Sequence, residues 1–135
     1  MSFVIDNSVV CGWLIESQAN TYCDAVARRL QTGRAVAPAL LPLEYTNVLR
    51  TACKRQRLLA LQAQQMLATL AELPIDIDTI RPSASQLLDL SLRYDLTSYD
   101  AAYLDLALRR SLPIATQDQA LAHAAIVAGV GVVSV

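Results

Sequence analysis

The chain of 135 residues contains one histidine, His123, and one lysine, Lys54. A single histidine is too few for a histidine-rich zinc site and gives little basis for a catalytic triad. The three cysteines, Cys11, Cys23 and Cys53, are an odd number without Cys-X-X-Cys spacing. They do not indicate the disulfide framework of a small secreted protein, so we expect reduced thiols.

The sequence also lacks a long hydrophobic run, although 54% of its residues are hydrophobic. The longest apolar runs, residues 9–15 and 126–133, are much shorter than the roughly 20 residues that a membrane-spanning helix needs. Residues 1–6 carry no positive side chain and end in Asp6, which does not match a secretory signal peptide. We therefore expect a cytoplasmic protein with no membrane segment, folded as one domain over residues 1–135.

The net charge of −1 conceals a strongly basic segment. Between positions 28 and 57 the chain carries seven of its eleven basic residues and a single acid, Glu44. Such a segment is compatible with a polyanionic partner. It is equally compatible with solvated helix faces, and charge alone leaves both interpretations open.

Short β-like segments alternate with longer helical ones along the chain. Strands are predicted at 3–5, 35–37, 75–77, 113–115 and 130–135. Helices are predicted at 9–30 (with a break near 18–20), 43–55, 58–73, 82–94, 97–110 and 117–128. This alternation predicts an α/β fold, a three-layer α/β/α sandwich around a parallel five-stranded sheet.

Four acids stand at positions that favour a functional site. Asp6 and Asp118 each follow a predicted strand, and ligands of such sheets gather at the carboxyl ends of the strands. Asp100 lies in the first turn of a predicted helix, and Glu44 begins another just after Pro42. Each acid taken alone is also compatible with a helix cap or a helix-dipole partner.

Taken together, converging carboxylates repel one another unless a cation neutralises them. Oxygen ligands without histidine or cysteine favour Mg²⁺ or Mn²⁺ over zinc. Such an ion binds phosphate oxygens and activates water. A site of this kind together with a basic segment predicts phosphodiester hydrolysis. Asp105 is excluded from the set because it is rotated by about 140° from Asp100 around the predicted helix.

The segments around these acids form an ordered set: Val4–Ser8, Leu43–Leu49, Leu96–Leu104 and Ala115–Leu121. Together they resemble the conserved blocks of PIN-domain ribonucleases, and most closely the VapC-type toxins of bacterial toxin–antitoxin modules. The resemblance covers almost the whole chain. It implies a PIN-like fold and Mg²⁺- or Mn²⁺-dependent cleavage of RNA. It also implies a homodimer and a small antitoxin protein as partner.

The resemblance assigns catalytic and metal-binding roles to four residues: Asp6, Glu44, Asp100 and Asp118. It also implies supporting roles for three polar residues nearby: Ser8, Asn47 and Thr116. Both hydroxyl residues are equally suited to capping a helix. Gln117 is bulkier than the pattern leads us to expect between Thr116 and Asp118, and would narrow the pocket without changing the ligand set.

Two questions stay open at the level of sequence. The alternative to an enzyme is a catalytically weak PIN-like module that only binds RNA or a partner protein, which a cleavage assay with and without metal would distinguish. The apolar side chains of residues 58–73 are explained equally well by burial in the core and by a dimer or antitoxin surface.

Overall fold

The computed structural model of the chain describes residues 1–15 and 18–135, and within these ranges it contains four strands and seven helices. In chain order they are β1 (Ser2–Ile5), α1 (Asn7–Leu14), α2 (Thr21–Arg29), β2 (Arg34–Pro38), α3 (Leu40–Lys54), α4 (Ala60–Ala71), β3 (Ile75–Asp78), α5 (Ala84–Tyr94), α6 (Ser98–Arg110), β4 (Ile114–Ala115) and α7 (Gln119–Val127). The helical segment predicted over residues 9–30 is therefore two helices, and its residues 16 and 17 lie outside the described ranges. No helix in those ranges is long and apolar enough to cross a membrane.

The strands form one parallel sheet in the order β3-β2-β1-β4. Val4 of β1 lies opposite Val36 of β2 on one side and Ile114 of β4 on the other. Because all four strands run in the same direction, their carboxyl ends meet at one edge of the sheet. The predicted α/β fold with a parallel sheet is confirmed.

Alternating side chains of the strands point to opposite faces of the sheet, as the pleat requires. Phe3 and Ile5 pack in a buried cluster with side chains from α1, α2 and α4. Val4 and Val36 pack in a second cluster with side chains from α5, α6 and α7. The sheet is thus covered by helices on both faces, which confirms the three-layer sandwich.

The fifth strand predicted at residues 130–135 is absent from the described sheet. The segment runs beside β4 and forms a single bridge between Ile114 and Val132. Gly129 and Gly131 have φ angles of 88° and 78°, which interrupt the extended backbone that a continuous strand requires.

Helix α3 begins at Leu40, earlier than the sequence predicts. Pro42 therefore lies inside the first turn of α3. Backbone N–H groups in the first turn have no acceptor within the helix, so the N–H that proline lacks removes no helical hydrogen bond there. Glu44 consequently sits in the second turn of α3, and the prediction that it begins the helix is wrong.

Candidate active site

Asp6 lies at the carboxyl end of β1, where the chain turns into α1. Its backbone N–H donates to the carbonyl of Ala115 at the end of β4 (3.1 Å), which joins the two neighbouring strand ends beside it. The side chain caps α1, because Oδ1 accepts from the N–H of Ser8 at 2.9 Å. This cap holds the buried Asp6 carboxylate at the carboxyl edge of the sheet.

Two hydroxyl groups hold the Asp6 carboxylate. Ser8 Oγ donates to Asp6 Oδ1 and Thr116 Oγ1 donates to Asp6 Oδ2, each at 2.5 Å. The same hydroxyls accept from the loop that follows β4, Ser8 Oγ from the N–H of Gln117 (2.8 Å) and Thr116 Oγ1 from the N–H of Asp118 (3.0 Å). Burial nevertheless raises the pKa of Asp6 by more than these bonds lower it.

Asp100 and Asp118 approach the same edge from the starts of two helices. Asp118 caps α7, with Oδ1 accepting from the N–H of Leu121 at 3.0 Å, and is exposed. Asp100 lies in the first turn of α6, and its N–H donates to Thr97 Oγ1 at 3.2 Å. The pKa of Asp100 is raised to about 6, first by burial and then by the negative charges of Asp118 and Asp6. Asp100 therefore lies within electrostatic range of both Asp6 and Asp118.

Glu44 completes the group from α3. Burial raises the pKa of Glu44, a hydrogen bond from Tyr103 lowers it, and the charges of Asp6 and Asp100 raise it again. The Tyr103 hydroxyl donates to Glu44 Oε1 at 2.5 Å, although the phenol is otherwise buried in the core. We call these four residues the edge cluster: Asp6, Glu44, Asp100 and Asp118.

No ion pair within residues 1–15 and 18–135 involves a member of the edge cluster. Carboxylate oxygens without a cationic partner are the donor set that hard divalent ions prefer, so the chemistry of the cluster fits Mg²⁺ or Mn²⁺. As placed, no three His, Cys, Asp or Glu side chains in the described chain converge closely enough to hold an ion. Asp6 is instead turned onto Ser8 and Thr116, and Glu44 onto Tyr103.

A second group of charged residues, which we call the paired cluster, lies toward the other end of α6. It contains Asp78 from the end of β3 and three residues of α6: Asp105, Arg109 and Arg110. Arg109 Nε donates to Asp105 at 2.9 Å, while Arg109 Nη2 and Arg110 Nη2 donate to Asp78 at 2.7 and 3.0 Å. Burial acts to raise the pKa of Asp78, but the hydrogen bonds and charges of the two arginines lower it overall. Asp105 is thus engaged away from the edge cluster, as its rotation around the helix predicts.

Asn47 is exposed on α3 and lines a groove between α1, α3 and α4 with a volume of about 560 Å³. In the described chain it makes no side-chain hydrogen bond to the edge cluster. The basic segment is divided: Arg55 and Arg57 line this groove, whereas Arg34 pairs with Asp76 near the amino edge of the sheet.

Sequence reasoning missed two contacts of the site. Tyr103 follows Asp100 by three residues, so helical spacing puts both on one face of α6, and this signal was available. The other is Gln117, whose Nε2 donates to the carbonyl of Ser8 (2.9 Å) and to Cys23 Sγ (3.0 Å), while its Oε1 accepts from Asn20 Nδ2. These partners are distant in sequence, and only the folded chain brings them together.

Comparisons with known proteins bear on the family and the fold of the chain. A family model of the PIN domain matches residues 3–127. The curated relatives include Ribonuclease VapC1 from two strains of Mycobacterium tuberculosis, CDC 1551 / Oshkosh and ATCC 25618 / H37Rv. Each is 32% identical over 125 residues, which cover 90% of this chain and 89% of the relative. The crystal structure of PAE2754 from Pyrobaculum aerophilum aligns with a TM-score of 0.72 at 18% identity, over 92% of this chain and 84% of that one, and shows the same fold.

Proposed function

Because the chain belongs to the PIN domain family, we propose that it is an endoribonuclease that hydrolyses RNA phosphodiester bonds with Mg²⁺ or Mn²⁺. The observation that carries the proposal is the edge cluster, in which Asp100 interacts electrostatically with each of the other three acids and none of the four forms an ion pair in the described chain. The similarity to proteins named ribonucleases supports the same activity.

In this proposal Asp6, Glu44, Asp100 and Asp118 hold the metal and catalyse the reaction. A divalent ion bound there would neutralise the carboxylates, bind phosphate oxygens and lower the pKa of an attacking water. The chain itself supplies orientation, because a ligand side chain acts well only when its own partners hold it in place.

Three residues provide that orientation on the contacts present. Ser8 and Thr116 hold the two oxygens of Asp6, and Tyr103 holds one oxygen of Glu44. Holding one shared ion would require these carboxylates to move closer together, because no three acidic side chains converge closely enough in the described chain. Asn47, which lines the groove between α1, α3 and α4, stays a predicted supporting residue.

We further propose that the enzyme is the toxic component of a toxin–antitoxin pair, restrained by a small antitoxin. The groove between α1, α3 and α4 presents Leu58 and Met66 beside Arg55 and Arg57, a mixed surface that suits a segment folding on binding. An arginine or lysine of such a segment would pair with the edge cluster in place of the metal. Expression of the chain alone should arrest growth, and co-expression with the antitoxin or the Asp6→Asn substitution should relieve it.

A homodimer is also proposed, with exposed apolar side chains available to bury. Leu88 and Leu92, one turn apart on α5, are 61% and 76% exposed. Light scattering coupled to size-exclusion chromatography should give a molar mass twice that of the monomer. The substitution Leu92→Glu should lower this mass toward that of the monomer.

The direct test of activity is cleavage of unstructured RNA by the purified chain, with Mg²⁺ or Mn²⁺ and with a chelator. Cleavage that needs the metal and is lost in Asp100→Asn supports the proposal. RNA binding without cleavage in any metal would favour the binding module instead.

A further inference from the structure

A pocket opens next to Asp118 between the start of α2 and the loop from β4 to α7. It has a volume of about 440 Å³ and is lined by Ser8, Gln18, Ala19, Asn20, Gln117 and Asp118. Pockets of roughly 300–1,000 Å³ are large enough for small organic ligands. A molecule seated here would lie against one acid of the edge cluster.

The Gln117 side chain has a fixed orientation in this pocket. Both hydrogens of its Nε2 are used, one on the carbonyl of Ser8 and one on Cys23 Sγ. The carbonyl of Ser8 requires a donor, so the amide cannot be reversed without losing this bond. Gln117 therefore presents its Oε1 toward Asn20.

Asn20 is held from the opposite side. Its Oδ1 accepts from the N–H of Cys23 at 2.9 Å, which caps α2, and its Nδ2 donates one hydrogen to Gln117 Oε1. By their donor and acceptor capacity, one hydrogen on Asn20 Nδ2 and one lone pair on Gln117 Oε1 are left over. Asn20 and Gln117 thus present a donor and an acceptor side by side, and other hydrogen bonds hold both side chains in place.

The edge of a nucleobase presents hydrogen-bond donors and acceptors, and a neighbouring donor and acceptor on the protein can bind both. Asparagine and glutamine amides commonly make such bonds to base edges. Sequence-specific recognition of RNA relies on single-stranded bases whose edges are free for such bonds. Building on the proposed function, we infer that this pocket binds the base of a nucleotide adjoining the cleaved phosphate, and that Asn20 and Gln117 set which base is preferred there.

The inference is tested with single-stranded RNA oligonucleotides in which each nucleotide flanking the cleavage site is varied through the four bases. For one flanking position, wild-type rates should differ between the best and the worst base by about tenfold or more. Gln117→Ala should bring these four rates close to one another. Asn20→Ser should do the same, since serine keeps the cap of α2 but lacks the amide donor.

Gln119→Ala is the matched control. Gln119 is exposed at the start of α7, two residues from Gln117, and does not line the pocket. It should keep the wild-type ratio between bases. Circular dichroism and thermal melts verify that all three variants remain folded.

Two results would overturn the inference while leaving the proposed function intact. One is a uniform loss of rate for all four bases in Gln117→Ala with unchanged ratios, which would make Gln117 only a tether of the loop. The other is a wild-type enzyme with no preference at either flanking position. Absence of metal-dependent cleavage by the wild type would instead overturn the proposed function, and this inference with it.

Discussion

Helix α6 contributes an acid to each of two clusters whose electrostatic surroundings are opposite. Near its start, Asp100 belongs to the edge cluster, where burial and two other acids raise its pKa to about 6. Toward its end, Asp105 belongs to the paired cluster, where Arg109 donates to it at 2.9 Å. The two positions are five residues apart on one helix.

The same contrast holds between the most buried acids of the two clusters. Asp6 and Asp78 are both buried, at 4% and 5% exposure, and each follows or ends a strand. The pKa of Asp6 is raised by burial, whereas the arginine partners of Asp78 lower its pKa despite burial. The fold pairs one buried acid with two arginines and, in the described chain, leaves the other without a cationic partner, which supports the proposal that a cation binds beside Asp6.

The largest expected difference between the clusters is in catalysis. Asp100→Asn and Asp6→Asn should each reduce RNA cleavage by more than about a hundredfold, because each removes a charge proposed to hold the metal. Asp105→Asn, the control on the same helix, should cleave at close to the wild-type rate. Cleavage rates at saturating Mn²⁺ measure this. Equal losses in Asp100→Asn and Asp105→Asn would remove the distinction between the two clusters.

The next largest difference concerns stability. Asp78→Asn should lower the free energy of unfolding by about 2 kcal/mol, because it removes the charge of a buried carboxylate that the partly exposed Arg109 and Arg110 share. Asp89→Asn is the matched control, since its pair with Arg93 is exposed on both sides and should contribute less than about 0.5 kcal/mol. Urea unfolding gives both values. A change in Asp78→Asn no larger than in Asp89→Asn would show that the paired cluster does not stabilise the fold.

A smaller effect is expected from Tyr103, which holds one carboxylate of the edge cluster in position. Tyr103→Phe keeps the buried ring but removes the hydroxyl that donates to Glu44, so Mn²⁺ affinity should fall by about tenfold. Tyr99→Phe, on the same helix but with 62% of its surface exposed, should bind Mn²⁺ as the wild type does. Calorimetric titration compares the two variants. Unchanged affinity in Tyr103→Phe would mean that Glu44 does not need this bond.

The smallest expected effect is on the pH dependence of the free energy of unfolding, and it has opposite signs in the two clusters. Since the pKa of Asp100 is raised above its unfolded value of 3.8, its ionisation disfavours the folded state as the pH rises from about 4 to 6. In the metal-free protein at pH 7, Asp100→Asn should therefore raise the free energy of unfolding, by roughly 1 kcal/mol after solvent screening.

Asp78 titrates in the other direction. Its pKa is lowered on folding, so its stabilisation is present above the unfolded value of 3.8 and is lost as the pH falls through the folded pKa. Thermal melts of the metal-free wild type, Asp100→Asn and Asp78→Asn between about pH 2 and 7 resolve the two signs. A destabilised Asp100→Asn at pH 7 would contradict the assignment of uncompensated charge to the edge cluster.

Local sequence signals predicted the parts of this arrangement that depend on chain direction and periodicity. Apolar strands ending at Asp6 and just before Asp118 predict two acids at one sheet edge, because parallel strands share their carboxyl edge. Helical spacing separates Asp105 from Asp100. These rules use only neighbouring residues, so a single sequence contains them.

The remaining features depend on contacts that sequence spacing does not encode. Gln117 and Asn20 are 97 positions apart, and their contact requires the finished sheet and the position of α2. The loss of the fifth strand depends on the φ angles of Gly129 and Gly131, which an apolar pattern does not reveal. The arginine partners of Asp78 come from α6, which is distant in sequence from β3.

We propose above all that a divalent cation completes the edge cluster. Calorimetric titration of Mn²⁺ into wild type, Asp100→Asn and Asp105→Asn at pH 7 tests it without relying on RNA cleavage. We expect one saturable binding event in the wild type, equal affinity in Asp105→Asn, and at least about tenfold weaker binding in Asp100→Asn. Wild-type binding that Asp100→Asn leaves unchanged, or no binding to the wild type at millimolar Mn²⁺, would contradict it.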